Sequence, residues 1–382
     1  MISKQLPLYD LAEWKNGLAF RKIDFSNKGK PVIKIAELKN GITGQTQFTN
    51  GNYGEAVSLT RGDMVFSWSG NPETSIDVFW YDLPDGWLNQ HIFKVTPSEC
   101  VDKKYLYYLL KSLKSTFTAI ASNKQTTGLG HVTIKDLKEL IIDLPIRSTQ
   151  EAISNYLYAL DSKIHLNKQL NDNLQQQAQA LYKHYFPYSV GDELPDGWRI
   201  GSVGEIIEIH DSKRVPLSGA ERAKMEKKTY PYYGAAALMD YVDDYIFDGK
   251  YLLLGEDGTV VDNAGYPILQ YVWGQFWVNN HAHILTGKLG FNVESLYMLF
   301  KQTPVKAIVT GAVQPKISQA NLRSIQVVIP PEKLLMEYNY RVEPLFTLLR
   351  SNEAENKSLT ALRDSLLPKL MSGEIDVSGI QL

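Results

Sequence analysis

The sequence predicts an α+β fold in which two mixed α/β domains are separated and joined by two long helices. Three observations predict it: a heptad pattern of apolar residues, a second copy of that pattern near the C-terminus, and matching short motifs in the segments that precede each copy. The chain has 382 residues, which is enough for two or three domains with ample cores.

The first long helix is predicted between Pro145 and Phe186, where seam residues recur at alternating intervals of three and four. This spacing is typical of a helix that packs along its length against another helix. The seam comprises Ile153, Leu157, Leu160, Ile164, Asn167, Asn171, Leu174, Ala178, Leu181 and Tyr185. Ser148 and Glu151 have the spacing of a capping box, which predicts the helix start, and Pro187 predicts its end.

The second copy lies at a constant offset of 185 residues, so that Ile153 corresponds to Tyr338. It comprises Tyr338, Val342, Leu345, Leu349, Asn352, Asn356, Leu359, Arg363, Leu366 and Leu370. Two seams of equal phase predict two long helices that pair with each other. Pro344 interrupts this copy, so we expect a break or kink there, with a short helix before it and the long helix starting near it.

Asparagine occupies two neighbouring positions in each seam. The four residues are Asn167, Asn171, Asn352 and Asn356. An asparagine in such a seam costs stability but fixes the register, because its amide needs a partner amide opposite. We therefore predict that these residues set the register of the two helices.

The segments before the two helices read as related domains. In the first segment we predict strands at residues 31–35, 63–68, 88–95 and 140–144, with helices at 102–115 and around 135–137. The second segment repeats these motifs: Asn89 corresponds to Asn279 and Leu106 to Leu296 at an offset of 190, and Leu144-Pro145 corresponds to Ile329-Pro330 at an offset of 185. The predicted division is a first domain at 1–145, a spacer helix at 146–188, a second domain at 189–330 and a second spacer helix at 331–382.

Composition narrows the possible function classes. The single cysteine, Cys100, excludes an internal disulfide and a cysteine-rich metal cluster. We expect a cytoplasmic protein without a membrane span, because the N-terminus has no apolar signal core and no apolar run is long enough to cross a bilayer. The chain has 40 Lys and Arg against 42 Asp and Glu, a net charge of −2. Any DNA-binding surface must then be a local patch.

The sequence lacks the common motifs of catalysis and cofactor binding. It has no phosphate-binding loop, no complete dinucleotide-binding glycine motif and no zinc-ligand spacing. Glu256 and Asp257 precede Gly258, and a turn is favoured there over acid–base chemistry. His281 and His283 have no evident third ligand and are interpreted as strand residues. We therefore predict no catalytic residue, no metal and no cofactor on this chain.

Polar and aromatic residues cluster in corresponding loops of both halves. Arg and Lys bind guanine edges, Asn and Gln bind adenine edges, and neighbouring polar groups hold phosphates. Ordinary polar loops are the alternative for any one residue, but the paired occurrence favours DNA binding. The predicted DNA-binding residues are Arg21, Lys22, Lys34, Trp68, Asn71, Lys124, Gln125, His131, Lys213, Arg214, Tyr233, Asn280, Gln314 and Lys316.

Taken together, these features resemble the specificity subunit of type I restriction–modification systems. The motifs that carry the resemblance in the second half are residues 230–235 (YPYYGA), 241–249 (YVDDYIFDG), 255–258 (GEDG), 314–322 (QPKISQANL) and 362–373 (LRDSLLPKLMSG). In the first half, residues 127–133 (TGLGHVT) and 160–164 (LDSKI) match similarly. The two helix starts differ, since STQE follows the proline of the first repeat and PEKL occupies the matching place in the second.

The resemblance implies two target recognition domains, each reading one half of a split, asymmetric site in double-stranded DNA. It implies that the spacer helices form an antiparallel coiled coil that sets the gap between half-sites. Half-sites one turn apart are separated by roughly 34 Å, and helices of this length span about 50–60 Å.

The resemblance also implies a subunit without catalytic activity of its own. The implied partners are two methyltransferase subunits, which bind S-adenosylmethionine and methylate adenine, and restriction subunits that use ATP and Mg in the full complex. Two alternatives remain open at this point. One is a coiled-coil protein-interaction scaffold without DNA specificity, and the other is a self-contained enzyme, against which the missing motifs argue.

Overall fold

The structure, a computed structural model, describes residues 3–125, 128–311 and 313–377. The chain divides into two compact units: the first unit is Met1–Leu166 with Glu355–Leu382, and the second unit is Asn167–Ala354. Both divisions fall within long helices. The four-part division of the sequence, which follows the ends of those helices, stays a prediction. Thr127 of the TGLGHVT motif lies outside the described residues.

The first unit combines short strands, short helices and part of each long helix. Its strands are β1 Ser3–Pro7, β2 Ala12–Asn16, β3 Lys30–Ile33, β4 Phe48–Thr49, β5 Ser58–Leu59, β6 Met64–Ser67, β7 Ser69–Gly70, β8 Asp77–Trp80, β9 Gly86–Leu88, β10 Ile92–Pro97, β11 Gly130–His131 and β12 Ile141–Pro145. Its short helices are α1 Ile35–Asn40, α2 Lys103–Ser112, α3 Lys114–Asn123 and α4 Ile134–Glu139. The long helix α5 spans Arg147–Tyr185 and continues into the second unit.

Two four-stranded sheets form the framework of the first unit. One has the order β2-β10-β6-β8 and is antiparallel throughout. The other has the order β4-β3-β9-β5, and its central pair, β3 with β9, is parallel with Val32 beside Trp87. The strand β1 pairs with β12, and β7 pairs with β11. The main core packs the first sheet against α2, α3 and the long helices, and it includes Leu106, Leu157 and Leu370.

The second unit contains a similar set of strands and short helices. Its strands are β13 Arg199–Ser202, β14 Ile207–Ile209, β15 Tyr230–Tyr233, β16 Leu238–Val242, β17 Phe247–Asp248, β18 Tyr251–Gly255, β19 Leu269–Val272, β20 Gln275–Val278, β21 Ala282–Gly287 and β22 Gln326–Ile329. Its short helices are α6 Val203–Ile206, α7 Gly219–Ala223, α8 Val293–Phe300 and α9 Gln319–Ser324. The long helix α10 spans Glu332–Met371 and continues into the first unit.

The sheets of the second unit follow the same plan as those of the first. One has the order β14-β21-β18-β19, and the other has the order β16-β15-β20-β17. Again the central pair of the second sheet, β15 with β20, is parallel, and Tyr232 lies beside Trp277. The strand β13 pairs with β22 as β1 pairs with β12. The predicted α+β class and the internal repeat of two mixed domains are confirmed.

The two long helices run antiparallel to each other within each unit. In the second unit Asn171 contacts Asn352, and seven residues further along α5 the Tyr338 hydroxyl donates to Ala178 O at 3.3 Å. In the first unit Arg363 Nη1 donates to Asp161 Oδ1 at 2.7 Å. Residue numbers increase along α5 in the direction in which they decrease along α10, so the two helices are antiparallel.

The structure corrects two helix predictions. The expected break at Pro344 is wrong, because α10 continues through it as one 40-residue helix. Val342 and Phe346, on either side of the proline, are buried in a shared core, and that packing outweighs the lost backbone hydrogen bond. The start predicted at Ser148 is also displaced. The helix α5 begins at Arg147, and Glu151 accepts a hydrogen bond from Arg147 Nε at 2.8 Å.

Strand and helix limits differ in the first domain as well. The strand predicted at 88–95 is two strands, β9 and β10, because Asn89 to His91 forms a turn closed by Ile92 N–H donating to Asn89 O at 3.2 Å. The polar stretch after Thr118 begins inside a helix, α3, which the sequence reading missed. Phe117 and Ala121 are the buried residues that hold this mostly polar helix on the core.

No helix in the described part of the chain combines the length and the apolarity that crossing a bilayer requires.

Candidate nucleic-acid interface

The predicted DNA-binding side chains fall into an exposed group and a half-buried group. The exposed residues are Arg21, Lys22, Asn71, Gln125, Lys213, Asn280, Gln314 and Lys316. The half-buried residues are Lys34, Trp68, Lys124, His131, Arg214 and Tyr233. The exposed residues are accessible to a polyanion. For the half-buried residues, contacts within the protein determine whether the side chain is available to bind DNA.

Two half-buried lysines of the first unit are engaged within the protein. Lys34 Nζ donates to the side-chain amide of Gln47. Lys124 pairs with the carboxylate of Asp136, which also accepts from the Thr133 amide and hydroxyl at the start of α4. Burial opposes ionisation of Asp136, but the hydrogen bonds from Lys124 and Thr133 outweigh it and lower its pKa. Lys124 therefore ties the loop after α3 to the next helix.

Trp68 is the centre of a polar and aromatic cluster in the first unit. Its indole Nε1 donates to Asn16 Oδ1 at 3.0 Å, and its ring stacks on Phe93 with centroids 5.5 Å apart. His91 packs edge-on against the same ring at 5.7 Å. Pairing of β7 with β11 places His131 opposite Ser69, the residue after Trp68. Two of the predicted residues, Trp68 and His131, are thus brought to one place.

Glu256 has the corresponding central place in the second unit. Its Oε2 accepts from Arg214 Nη1 at 2.6 Å, and its Oε1 lies 3.1 Å from Lys316 Nζ. Arg214 also donates from Nη1 to Ala282 O at 2.8 Å and from Nε to Asp211 O at 3.1 Å. Only 13% of the Arg214 side chain is exposed, compared with 49% for Lys316. The guanidinium donors of Arg214 are therefore directed at protein acceptors, while Lys316 retains donors that face solvent.

Beneath this pair lies a buried histidine. His283 Nε2 lies 2.8 Å from Ile317 O, and Nδ1 lies 2.6 Å from Asp211 Oδ2. A carbonyl oxygen only accepts, so Nε2 carries a proton. Asp211 also accepts from Ile284 N–H and Gln319 Nε2, as an ionised carboxylate does. His283 therefore links the Asp211 carboxylate to the backbone carbonyl of Ile317.

The acids of this network stay ionised despite partial burial. Burial raises the pKa of Asp211, but the hydrogen bond and charge of His283, the Ile284 amide and Arg214 together bring it below its ordinary value. For Glu256 burial acts in the same direction, and Arg214, His283 and Lys316 reverse it, so its pKa is lowered as well. Arg214, Lys316 and the His283 ring thus surround the two carboxylates.

The donor atoms of Asp211, Glu256 and His283 lie within 4.8 Å of one another, a spacing that a metal ion can bridge. Both nitrogens of His283 are occupied by hydrogen bonds, and Arg214 and Lys316 already neutralise the carboxylates. The arrangement fits an ion network better than a metal site.

A bend close to Glu256 completes this edge of the unit. Gly258 has φ +82, a conformation that glycine adopts without strain, and its N–H donates to Pro315 O at 2.9 Å. The chain bends at Gly258 and Thr259 and does not turn before Gly258 as predicted, because Asp257 is held in a β-bridge. The Asp257 carboxylate lies 2.5 Å from His281 Nδ1, and Asp257 forms a β-bridge with Lys316. Segments 256–258, 280–283 and 314–317 therefore meet at one place.

Other predicted residues lie apart from these contacts. Tyr233 packs its ring edge-on against Phe276 at 5.9 Å, and its carbonyl accepts from the Asn279 amide. Arg21 precedes a short 3₁₀ turn at Lys22–Asp24. Asn171 and Asn352 contact each other between the long helices, as described above. The DNA-binding and register roles of all these residues stay predictions.

Asp211, Glu256 and His283 were not recognised as one cluster from the sequence. Their joint role was obscured because strand pairing, not local spacing, brings them together. A usable signal was present in β21, where His283 stands among apolar residues (AHIL). A histidine in such a strand needs buried acceptors, and Asp211 beside the basic pair Lys213 and Arg214 was a candidate.

Comparison with known proteins agrees with this architecture. The family model described as "Type I restriction modification DNA specificity domain" matches residues 3–176 and 195–359. The type I restriction enzyme MjaIX specificity subunit of Methanocaldococcus jannaschii is 24% identical over 394 residues, covering 91% of this chain and 90% of that protein. The HindI specificity subunit of Haemophilus influenzae is 22% identical over 403 residues, covering 83% and 87%.

A solved structure supports the fold. The crystal structure of a type I restriction–modification system S subunit from M. genitalium superposes with a TM-score of 0.52 at 20% identity, covering 97% of this chain and 96% of that one. The chain therefore belongs to the type I restriction–modification DNA specificity family. The resemblance drawn from the motifs is confirmed, as is the predicted class of a non-catalytic specificity subunit.

Proposed function

We propose that this chain gives a type I restriction–modification complex its DNA sequence specificity, with each unit reading one half of a bipartite, asymmetric site. The observation that carries the proposal is the repeated framework with different side chains at the same edge. Both units have the same two sheet orders, yet Trp68 stands at the centre of one cluster and Glu256 at the centre of the other. Two copies of one scaffold with different polar loops suit the reading of two different sequences.

The partners follow from the same proposal. Double-stranded DNA is the ligand, two methyltransferase subunits dock on the chain, and restriction subunits join in the full complex. S-adenosylmethionine, ATP and Mg are expected on those partners and not on this chain. The net charge of −2 supports this division, because a chain without a large positive field gains DNA affinity from its partners.

The first experiment maps adenine methylation across the genome of the source cell with and without this chain. The expected result is loss of one two-part motif, which reveals both half-sites and the gap between them. Exchanging residues 189–330 for those of a relative should then alter one half-site only. A change in both half-sites would contradict one unit per half-site. No effect on methylation while methyltransferase subunits are present would favour the scaffold alternative.

We further propose that α5 and α10 form a coiled-coil spacer that sets the gap. Inserting one heptad at facing positions of both helices adds about 10 Å, or about three base pairs of B-DNA at roughly 3.4 Å each. The methylated motif should keep both half-sites and lengthen its gap by that amount. A five-residue insertion is the matched control, because it turns the seam by roughly 140° and should abolish methylation. An unchanged gap in the heptad variant would refute the spacer role.

A further inference from the structure

The two units hold equivalent recognition loops by different chemistry. Trp68 is the first residue after β6, and Glu256 is the first residue after β18, the corresponding strand. The Trp68 carbonyl accepts from Val132 N–H at 2.8 Å, and the Glu256 carbonyl accepts from Ile317 N–H at 2.8 Å. These matching backbone bonds fix the equivalence of the two positions independently of their side chains.

The strands beside these two positions also differ, with an aromatic residue in the first unit where the second unit has a histidine. Phe93 pairs with Phe66 across β10 and β6, whereas His283 pairs with Leu254 across β21 and β18. The first unit therefore stacks Trp68 on Phe93, while the second joins Glu256 to a buried layer of charges. The contact between His283 Nδ1 and Glu256 Oε2, at 3.7 Å, links that layer to the surface.

The Glu256 side chain contacts two basic residues that come from separate segments of the chain. Its Oε2 binds Arg214, which follows a short 3₁₀ turn at Asp211–Lys213. Its Oε1 lies beside Lys316 in the loop before α9. Arg214 in turn donates to Asn280 O at 3.3 Å, in the turn before β21, and to Ala282 O at 2.8 Å, at the start of β21. Removal of this one carboxylate takes an acceptor from both basic side chains, but Arg214 keeps its bonds to backbone carbonyls.

The two basic residues differ in what they can offer DNA. Arg214 is mostly buried and its guanidinium is directed at protein acceptors, so it cannot turn outward without breaking them. Lys316 is half exposed, and an ammonium group with one donor on Glu256 has two more. The carboxylate thus orients Lys316 without using up its capacity to bind a base or a phosphate.

We propose that Glu256 is a positioning residue that determines specificity at the half-site read by the second unit, by holding Lys316 in its DNA-binding orientation and Arg214 in the loop framework. This inference rests on the proposed function. It assigns DNA contact to Lys316 and a supporting role to Arg214. Recognition by the second unit then depends on an ion network, whereas the first unit depends on the packing of Trp68.

The test uses the chain assembled with its methyltransferase subunits and three DNA duplexes built on the mapped motif. One duplex carries both half-sites, and each of the others has one half-site scrambled. Binding affinities give the discrimination at each half-site. For Glu256→Gln we expect discrimination at the second unit's half-site to fall about tenfold, the scale of one specific base contact. Discrimination at the other half-site should be unchanged, and Glu256→Asp, which keeps the carboxylate, should recover part of the loss.

Two controls separate positioning from charge and from folding. Glu226→Gln makes the same change of charge at an exposed position of the same unit and should leave both half-sites unchanged. Lys316→Met alters an exposed side chain, and it should reduce discrimination at the same half-site as Glu256→Gln even if the latter folds poorly. In the first unit, Trp68→Leu should affect the other half-site only.

The outcomes are distinguishable from failure of the proposed function. If wild-type complex binds all three duplexes equally, the proposed function fails. If wild type discriminates and both Glu256→Gln and Lys316→Met discriminate equally well, the inference about Glu256 is overturned. Equal loss at both half-sites in Glu256→Gln, with Lys316→Met unchanged, would also overturn it, because it would indicate a general structural role.

Discussion

The Asn352 side-chain amide donates to Asn171 Oδ1 at 2.8 Å, between the two long helices of the second unit. Both side chains are buried, and Asn171 Nδ2 also donates to Glu353 Oε1 at 3.0 Å. A polar pair in an otherwise apolar seam favours the register in which the two amides meet.

We expect Asn352→Leu to lower the free energy of unfolding by about 1–3 kcal/mol, because it removes the donor to the buried Asn171 Oδ1. The double variant Asn171→Leu with Asn352→Leu should lose less than the sum of the two single changes, since both ends of the hydrogen bond are then apolar. Urea unfolding in a double-mutant cycle measures this coupling. Strictly additive losses would show that the pair contributes nothing as a pair.

A second prediction concerns the buried carboxylate of Glu294. Its Oε1 lies 2.7 Å from Lys250 Nζ and 3.3 Å from Arg350 Nη1, and it accepts from the Tyr271 hydroxyl at 2.7 Å. Arg350→Met removes one compensating charge, and we expect it to destabilise the second unit by about 3 kcal/mol. Arg341→Met, which breaks an exposed pair with Glu337 on the same helix, is the matched control and should cost less than about 1 kcal/mol.

Hydrogen–deuterium exchange resolves the Arg350→Met effect by region. Peptides from α8 and from the 343–350 part of α10 should exchange faster in the variant, while peptides from β2 to β12 in the first unit should not. Equal stability of Arg350→Met and Arg341→Met would contradict a structural role for this cluster.

In the first unit, Gln150 lies in the first turn of α5, and its side chain forms hydrogen bonds with three backbone groups. Its Nε2 donates to Pro145 O at 2.8 Å and to Cys100 O at 3.3 Å, and its Oε1 accepts from Asp102 N at 2.7 Å. Gln150→Leu leaves these groups without their partner, and we expect a loss of about 2–3 kcal/mol in thermal or urea unfolding. Gln176→Leu, an exposed change on the same helix, should stay within about 0.5 kcal/mol of wild type.

Acid should weaken the second unit's ion network. The folded-state pKa values of Asp211 and Glu256 lie below their ordinary values. Groups of this kind contribute stability that is fully present above the unfolded pKa, about 4, and that is lost as the pH falls through the folded pKa. Unfolding free energy measured from pH 7 down to pH 3 should therefore decline, and Asp211→Asn should reduce the slope below pH 5. An identical slope in that variant would count against the ionised network.

Local periodicity in the sequence predicts much of the fold. The seams at 153–185 and 338–370 predicted both long helices because one face repeats every 3.5 residues over many turns, and this signal needs no knowledge of the rest of the chain. The break predicted at Pro344 is wrong because tertiary packing is not visible in the local sequence. A rule about one residue was outweighed by burial of Val342 and Phe346, which only the tertiary structure reveals.

The candidate site was predicted in part. The motif residues Arg214, Gln314 and Lys316 were selected for their chemistry, and the structure brings Arg214 and Lys316 together through Glu256. The sequence predicts a turn at Glu256, whereas the structure shows a β-bridge at the next residue and a network of contacts to the Glu256 side chain. Its partners come from distant segments. The pairing of β21 with both β18 and β14 brings Arg214 close, and the β-bridge between Asp257 and Lys316 brings Lys316 close.

The first unit is built from two stretches of chain, with the whole second unit between them. Leu370 and Val377, from the later stretch, are buried in the same core as Leu106. A ribosome delivers residues in chain order, and domains generally fold as their segments emerge. The core of the first unit therefore cannot be completed before the segment that begins at Glu355 has been synthesised.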